Sequence, residues 1–321
     1  MKIWMLLAGL GLLQAQDPQL DAAARQRVIA GAIANLAKYY NYPDVAQKVA
    51  ESLMAHEKHG DDDAATDGQA FADLLTNQMK DVSHDGQLVM RYSAAPTVDR
   101  PPQGPPPGNR ERYRKALEEN NCYFQKVEML AHNIGYFKLD AFPDPLFCEA
   151  KARAAMASLN RAEAIIFDLR DNAGGYPKMV ALIASYLFDR PTHLNDMYDR
   201  GQNTTEESWT TPAGRENKLA DKPAYVLTSS TTFSGAEEFS YDLKMLKRAT
   251  IVGEATSGRG HIPIGRRIDD HFEIRVPDRR SINPISKTDW DGPGVQPDVK
   301  VKAADALETA QHLAVDRVRS K

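Results

Sequence analysis

The amino-acid sequence predicts an α/β fold with a mixed-sheet core, preceded by a small all-α domain. Up to Tyr92, apolar residues recur at three- and four-residue steps, which is the periodicity of amphipathic helices. A stretch rich in Pro and Gly follows and suits neither a helix nor a sheet ladder. Beyond it, apolar runs of strand length alternate with helical patterns, as in a sheet covered by helices. A hydrophobic content of 42% and a charged content of 26% are those of a globular chain.

The N-terminal part is predicted to form three helices, over residues 20–40, 44–56 and 67–82. In the first, apolar residues such as Val28 and Ile33 recur on an Ala-rich background that favours helix. We therefore assign residues 17–95 to a helical domain. Residues 96–110 contain two runs of consecutive prolines and are assigned to a semi-extended linker, before a core of residues 111–321.

In the core, apolar strand patterns alternate with helical ones. Strands are predicted over residues 133–139, 164–170, 224–228, 250–253 and 273–276. Helices are predicted over residues 148–160, 179–187 and 235–247. This alternation carries the α/β assignment.

The first residues have the pattern of a secretory signal peptide. Lys2 precedes an apolar run over residues 3–13, and small and polar residues follow around Ala15. The run is short for a membrane-spanning helix, although a retained N-terminal anchor is the alternative. We predict that residues 1–16 are a signal peptide and that the protein is exported, to a periplasm or out of the cell. Cys122 and Cys148 are then candidates for a disulfide, the alternative being two separate buried thiols.

Charge and ligand patterns exclude several function classes. A net charge of −4 and a pI near 6.1 provide no basic field for a phosphate backbone, so nucleic acid is not expected as a partner. The run from His56 to His59 and the three aspartates after Gly60 offer metal ligands. The two histidines are spaced one residue short of the H-E-x-x-H motif, however, and a charged loop between helices accounts better for them. No cofactor or metal is implied.

Two strand-to-helix junctions carry the candidate catalytic residues. Gly174 and Gly175 follow the strand of residues 164–170 and leave backbone N–H groups uncrowded, as an oxyanion site requires. Ser234 precedes the helix of residues 235–247, where free N–H groups favour negative charge. Taken separately, the glycines are compatible with an ordinary turn, and Ser234 with an N-cap that Glu237 completes as a capping box.

Together, four motifs resemble the tail-specific (C-terminal processing) serine peptidases. They are D-L-R-D-N-A-G-G at residues 168–175, T-S-S-T-T-F-S-G-A-E-E-F at 228–239, K-R-A-T-I-V-G-E-A-T-S-G at 247–258, and the closing segments I-N-P at 282–284 and G-V-Q-P-D at 294–298. The resemblance covers about residues 121–313 and is closest to the branch similar to interphotoreceptor retinoid-binding protein, which has no inserted PDZ domain. It implies a crotonase-like or ClpP-like core, with Ser234 as nucleophile and an oxyanion hole formed by Gly174 or Gly175 with the Gly235 amide.

One position departs from the family pattern. The family's lysine base lies on a T-x-G-K-G loop, and this chain has Arg259 in its place. Arginine does not deprotonate in proteins and cannot act as the base. His261, on the same loop, is preferred because an imidazole accepts a proton near neutral pH. Lys138 and Asp291 remain alternatives, since they match where the related tricorn core peptidase has its triad histidine and acid.

The resemblance implies a serine-type peptidase that acts on polypeptides through an acyl-enzyme. The alternative is a catalytically degenerate binding protein for an apolar ligand, similar to the retinoid-binding relatives. A third hypothesis takes the N-terminal helices as a docking or dimerisation surface, so a homo-oligomer stays open. Without a PDZ domain, the usual reader of a substrate's carboxyl terminus is missing, so the resemblance implies no particular cleavage specificity.

Overall fold

The computed structural model describes residues 20–96, 109–212, 217 and 219–320. The predicted signal peptide and most of the predicted linker therefore lie outside the described residues. The chain divides into two compact units, one of Met1–Asp99 with Gly265–Val276 and one of Arg100–Ile264 with Pro277–Lys321. None of the helices in the described part is both long and apolar enough to cross a lipid bilayer.

The first unit contains three helices and short strands. The helices are α1 (Ala22–Tyr39), α2 (Pro43–His59) and α3 (Gly68–Ser83), close to the predicted bounds. Asp21 and Asp67 begin α1 and α3 as N-caps, each accepting a backbone N–H at 2.7 Å, and Gly60 ends α2 in the left-handed conformation. The apolar faces of the helices bury residues such as Val28, Leu53 and Leu75 in one core.

The sequence did not predict two features of this unit. Strand β1 (Val89–Tyr92) pairs antiparallel with the beginning of β10 (Phe272–Ile282), so that Tyr92 lies opposite Phe272. Phe272 and Ile274 also pack into the helical core. The helical unit therefore also contains strand residues, because a segment far along the chain contributes to it.

The second unit is built on a six-stranded sheet in the order β11-β8-β7-β4-β3-β2. The bounds are β2 (Phe124–Leu130), β3 (Ile134–Leu139), β4 (Ala164–Asp168), β7 (Ala224–Thr228), β8 (Thr250–Gly253) and β11 (Val299–Lys300). Only the pair β2–β3 is antiparallel; the other neighbours are parallel. This mixed sheet with helices confirms the predicted fold class.

Helices cover both faces of this sheet. They are α4 (Asn109–Glu119), α5 (Pro145–Ser158), α6 (Pro177–Ala184), α7 (Gly235–Met245) and α8 (Ala306–Arg319). One apolar core includes Phe167, Met179 and Phe239 on one face, and a second includes Ile166 and Ala310 on the other. Because β4 and β7 are buried on both faces, they are continuous apolar runs, as parallel strands require.

The remaining strands are β5 (His193–Asp199), β6 (Thr204–Trp209) and β9 (His261–Arg267). Strand β5 pairs antiparallel with β6 and with the end of β10. Cys122 and Cys148 form a disulfide that joins the segment before β2 to α5. Closing a loop of that length stabilises the fold by about 3.5 kcal/mol on the chain-entropy model.

Candidate active site

Ser234 occupies a strained turn between β7 and α7. Its backbone lies at φ 53° and ψ −117°, a region that residues other than glycine rarely adopt. Such strain clusters at functional sites, and a sharp strand-to-helix turn of this kind exposes a nucleophilic hydroxyl in other hydrolases. The Ser234 N–H donates to Glu237 Oε2 at 2.8 Å, which is the capping contact that the sequence predicts.

Gly174 and Gly175 bring a second turn against Ser234. A Cβ on Gly174 would lie 2.7 Å from both the Phe233 carbonyl oxygen and Ser234 Cβ. A Cβ on Gly175 would lie 2.0 Å from the Phe142 carbonyl oxygen. Both glycines also have positive φ, 85° and 141°. Only glycine permits this close approach, so the Gly-Gly motif has a structural reason at the site.

The two glycine amides differ in availability. The Gly174 N–H donates to Asn172 Oδ1 at 2.8 Å and is occupied. A Cβ on Gly235 would lie 3.1 Å from Gly175 N, so the Gly175 and Gly235 backbones are in contact. Within the described part of the chain, the hydrogen bonds include no acceptor for the N–H of Gly175 or of Gly235. These two amides, rather than that of Gly174, could stabilise an oxyanion next to Ser234.

Glu237 joins this turn to the loop of residues 256–260. Its side chain is fully buried. Its two oxygens accept five hydrogen bonds, from Ser234 N at 2.8 Å, Thr256 Oγ1 at 2.7 Å, Ser257 Oγ at 3.0 Å, Gly258 N at 2.6 Å and Arg259 N at 3.3 Å. A buried carboxylate is stable only with such a set of donors. The sequence indicated Glu237 as a helix cap and missed its bonds to the loop.

His261 lies between two carboxylates. Its Nε2 is 3.2 Å from Asp289 Oδ2 and its Nδ1 is 3.1 Å from Asp291 Oδ2. Asp291 also accepts the Gly260 N–H at 2.8 Å. His261 was predicted to lie on a loop, but it is the first residue of strand β9, and its side chain is buried. The structure thus brings two predicted site residues together, His261 and Asp291, and adds Asp289, which the sequence analysis missed although it lies only two positions before Asp291.

The imidazole is not bonded to the serine in this conformation. Each ring nitrogen lies close to a carboxylate oxygen, Nε2 to Asp289 and Nδ1 to Asp291. The hydrogen bonds of the described residues include none between His261 and Ser234. Hydrogen bonds of catalytic groups are often formed only with substrate bound, so this geometry does not exclude a base at His261.

Lys138 lies at the end of β3 in an environment that favours its charged form. Its Nζ donates to Asp171 Oδ2 at 2.6 Å. This hydrogen bond raises the pKa of Lys138 above its ordinary value, against the opposing effect of partial burial. A lysine that acts as a base needs the opposite shift. The surroundings of Lys138 therefore count against it as a base.

An ion pair fixes the turn that follows β4. Arg170 donates to both oxygens of the buried Asp168, and the Tyr136 hydroxyl donates to one of them at 2.6 Å. Burial raises the pKa of Asp168, but the hydrogen bonds from Arg170 and Tyr136 outweigh it and leave that pKa below its ordinary value. These contacts therefore fix the start of the turn that carries Gly174 and Gly175.

The histidine-rich segment near His56 lies at the end of helix α2. His56 Nδ1 lies 2.7 Å from Asp61 Oδ2, an exposed pair at the end of α2. Among the residues with described structure, no group of three or more His, Cys, Asp or Glu side chains is placed to hold a metal ion. His56 and His59 belong to the last turn of α2, and only the three aspartates after Gly60 lie in the connection to α3.

Sequence comparison matches two family descriptions to consecutive parts of the chain. Residues 133–301 match Peptidase family S41, and residues 20–134 match the N-terminal domain of Peptidase_S41 in eukaryotic IRBP. A probable CtpA-like serine protease of Staphylococcus haemolyticus is 26% identical over 195 residues, which are 60% of this chain and 38% of that protein. The chloroplastic carboxyl-terminal-processing peptidase 2 of Arabidopsis thaliana is 32% identical over 168 residues, 51% of this chain and 31% of that protein. The matches thus span about a third of the length of these relatives.

Solved structures share the fold at low sequence identity. A photosystem II D1 C-terminal processing protease superposes with a TM-score of 0.56 at 17% identity, covering 87% of this chain and 94% of that one. A putative peptidase from Parabacteroides merdae superposes with a TM-score of 0.61 at 16% identity, covering 90% and 96%. The tricorn protease gives 0.54 at 12% identity, with 92% of this chain but 37% of that one covered.

Proposed function

We propose that this chain, which belongs to peptidase family S41, is a serine-type peptidase that cleaves polypeptides through an acyl-enzyme on Ser234. The observation that supports it most is the pair of unoccupied amides, Gly175 and Gly235, beside a strained serine at a helix start. A helix N-terminus with free N–H groups stabilises developing negative charge. An N-cap that served stability alone would need neither the strain nor the adjacent glycine turn.

In the proposed reaction, Ser234 Oγ attacks the carbonyl carbon of the scissile peptide bond while a base accepts its proton. The N–H groups of Gly175 and Gly235 bind the oxyanion that forms. The C–N bond then breaks as the protonated base donates its proton to the leaving amine. Water attacks the resulting ester in the same way, and the products are a free carboxylate, a free amine and regenerated Ser234.

We propose His261 as the base, oriented by one of its two carboxylates as in other triads. To act, it would leave one carboxylate and turn that nitrogen toward Ser234. The alternative, Lys138, is held charged by Asp171. The change from lysine to Arg259 on the loop fits a mechanism in which the base lies elsewhere.

We also propose that the protein is exported and acts outside the cytoplasm, in a periplasm or extracellularly. Support comes from the signal-like pattern of residues 1–16 and from the Cys122–Cys148 disulfide, since such bonds persist mainly in oxidising compartments.

The nucleophile is tested with a fluorophosphonate probe and a peptide-hydrolysis assay on the purified chain. Wild-type protein should be labelled on Ser234 and should hydrolyse peptide. Ser234→Ala should lose labelling and lower turnover by about 10⁴-fold or more, because the covalent route is gone. Its unfolding free energy should fall by at most ~1–2 kcal/mol, the range for a lost N-cap. The matched control, Ser230→Ala, changes an exposed serine four residues earlier and should behave as wild type.

Full activity of Ser234→Ala would refute the mechanism. A wild-type chain that hydrolyses no peptide or ester and resists the probe would instead favour the ligand-binding alternative.

The base is tested by comparing two variants. His261→Ala should lower kcat about as far as Ser234→Ala does, because members of one catalytic unit are not additive. Lys138→Met should lower kcat by less than about 10-fold, since Lys138 would contribute only through an ion pair that is partly exposed. The kcat ratio of the two variants decides between the bases. The reverse order, with only Lys138→Met inactive, would assign the base to Lys138.

A further inference from the structure

An exposed guanidinium lies next to the proposed nucleophile. Arg259 Cζ is 5.9 Å from the ring centroid of Phe233, the residue directly before Ser234. The Arg259 N–H and the Ser234 N–H also bond to the same oxygen, Glu237 Oε2, at 3.3 and 2.8 Å. The backbones of the two residues are thus held together through one atom.

The loop that carries Arg259 is fixed along its backbone. Each backbone N–H from residue 256 to residue 260 has an acceptor: Val295 O, Thr232 O, Glu237 Oε1, Glu237 Oε2 and Asp291 Oδ1, in chain order. Gly258 has φ 73°, and a Cβ there would lie 2.3 Å from the Gly292 carbonyl oxygen. The Arg259 side chain therefore projects from a rigid loop, which lowers the entropy lost when it binds a partner.

The charge of Arg259 has no carboxylate partner within the described structure. The ion pairs there include none to its guanidinium. The two carboxylates that bond to the backbone of this loop have other partners: Glu237 has its five donors, and Asp291 binds the Gly260 N–H and lies close to His261. A guanidinium has five N–H donors in a planar fork that matches a carboxylate. At this position the missing partner would come from the substrate.

We propose that Arg259 is a specificity residue that binds a carboxylate of the peptide substrate close to the scissile bond. The carboxylate is an Asp or Glu side chain or the C-terminal α-carboxylate, within about two residues of the bond, given ~3.3 Å per residue of extended chain. This inference rests on the proposed function, because it places the substrate at Ser234. It makes the substrate class acidic or carboxyl-terminal peptides.

The test uses peptide pairs that differ only in one carboxylate. One pair has Glu or Gln beside the cleaved bond, and the other ends in a free carboxylate or an amide. Wild type should cleave the carboxylate member of at least one pair with a kcat/KM about 10- to 100-fold higher, mostly through KM, as charge-assisted hydrogen bonds provide. The pair that shows the preference identifies the source of the carboxylate.

Arg259→Gln should bring the kcat/KM ratio between the two members of the preferred peptide pair close to 1, whatever the absolute rate. Arg259→Lys keeps the charge but loses the bidentate fork and should give an intermediate ratio. Arg161→Gln, at an exposed arginine in the connection between α5 and β4, is the matched control and should keep the wild-type ratio. Raising the ionic strength should shrink the wild-type ratio, since an exposed charge pair is screened.

The inference would be overturned if the wild-type protein showed a kcat/KM ratio near 1 for both peptide pairs. It would also be overturned if Arg259→Gln kept the same ratio as the wild type. Either result would leave Ser234 labelling and turnover intact. If Arg259→Gln cleaves too slowly to measure, the same peptide pairs are titrated into Ser234→Ala with Arg or Gln at position 259. The ratio of dissociation constants should then be about 10–100 with Arg and near 1 with Gln. Equal ratios would again overturn it.

Discussion

Two neighbouring glutamates on α7 have opposite surroundings. Glu237 accepts hydrogen bonds from five donors. Glu238 is 4% exposed and has no donor for Oε1 in the described structure. Burial raises the pKa of Glu238 to about 7, against the opposing effect of the Asn195 side chain. One carboxyl group has a full set of hydrogen-bond donors, and the next is in a place that favours a proton.

The difference follows from the two faces of the helix. Consecutive helical residues are about 100° apart around the axis, so these side chains meet different partners. Glu237 faces the loop of residues 256–260. Glu238 lies with Asp242, which is hydrogen-bonded by Asn283 and whose pKa is also raised, by burial and by the charge of Glu238. Identical residue types on one turn therefore meet different partners, which come from distant parts of the sequence.

Of the substitutions that test this difference, Glu237→Gln is expected to have the largest effect on stability and activity. The amide presents an NH₂ group to donors that need an acceptor. The free energy of unfolding of the variant should therefore be about 3 kcal/mol lower, the range for breaking a buried charged network. Because the Ser234 turn and the loop lose their common anchor, kcat/KM should fall by about 100-fold, as small displacements at a reacting centre do. Urea denaturation and peptide hydrolysis measure the two effects.

Glu238→Gln is the matched control for this prediction. It makes the same substitution one residue later, at a position where a proton already suits the carboxyl group, and should keep most of the stability at neutral pH. The idea that the two faces differ would fail if both variants lost equal stability and equal activity.

Much of the fold could be predicted because its signals are local. The strands β4, β7 and β8 are short apolar runs between turn residues, and their predicted positions agree with the structure to within two residues. Strands β5 and β6 were missed. Strand β6, with the sequence T-T-E-E-S-W, is almost entirely exposed and has no apolar alternation to detect. The pairing of β1 with β10 joins residues far apart in the chain, and no local pattern specifies it.

The candidate site divides in the same way. The serine turn and the Gly-Gly turn are encoded by contiguous motifs, because glycine is required wherever two backbones approach this closely. The choice between Gly174 and Gly175 as an oxyanion donor was not encoded, since it depends on the Asn172 side chain occupying one amide. Of the two carboxylates beside His261, the sequence indicated Asp291 but not Asp289. The prediction of His261 as base stays a prediction.

The smaller effect concerns the pH dependence of stability at Glu238. Its pKa is about 7 in the folded chain and about 4.3 in an unfolded one, so the folded state binds the proton more tightly. The stabilisation is fully present below the unfolded pKa and is lost as the pH rises through the folded pKa. Stability should therefore fall between about pH 4.5 and 7.5, by on the order of 2–3 kcal/mol for this one group. Asp242, whose pKa is raised in the same direction, extends the loss to higher pH.

The measurement is the unfolding free energy of wild type and Glu238→Gln by urea denaturation at several pH values from 5 to 8. Other groups titrate in this range, so the difference between the two proteins isolates Glu238. Wild type should lose its advantage over the variant as the pH rises, because Gln cannot bind a proton and carries no charge to be buried. A difference independent of pH would mean that Glu238 is ionised throughout, and that its surroundings satisfy a carboxylate as fully as those of Glu237 do.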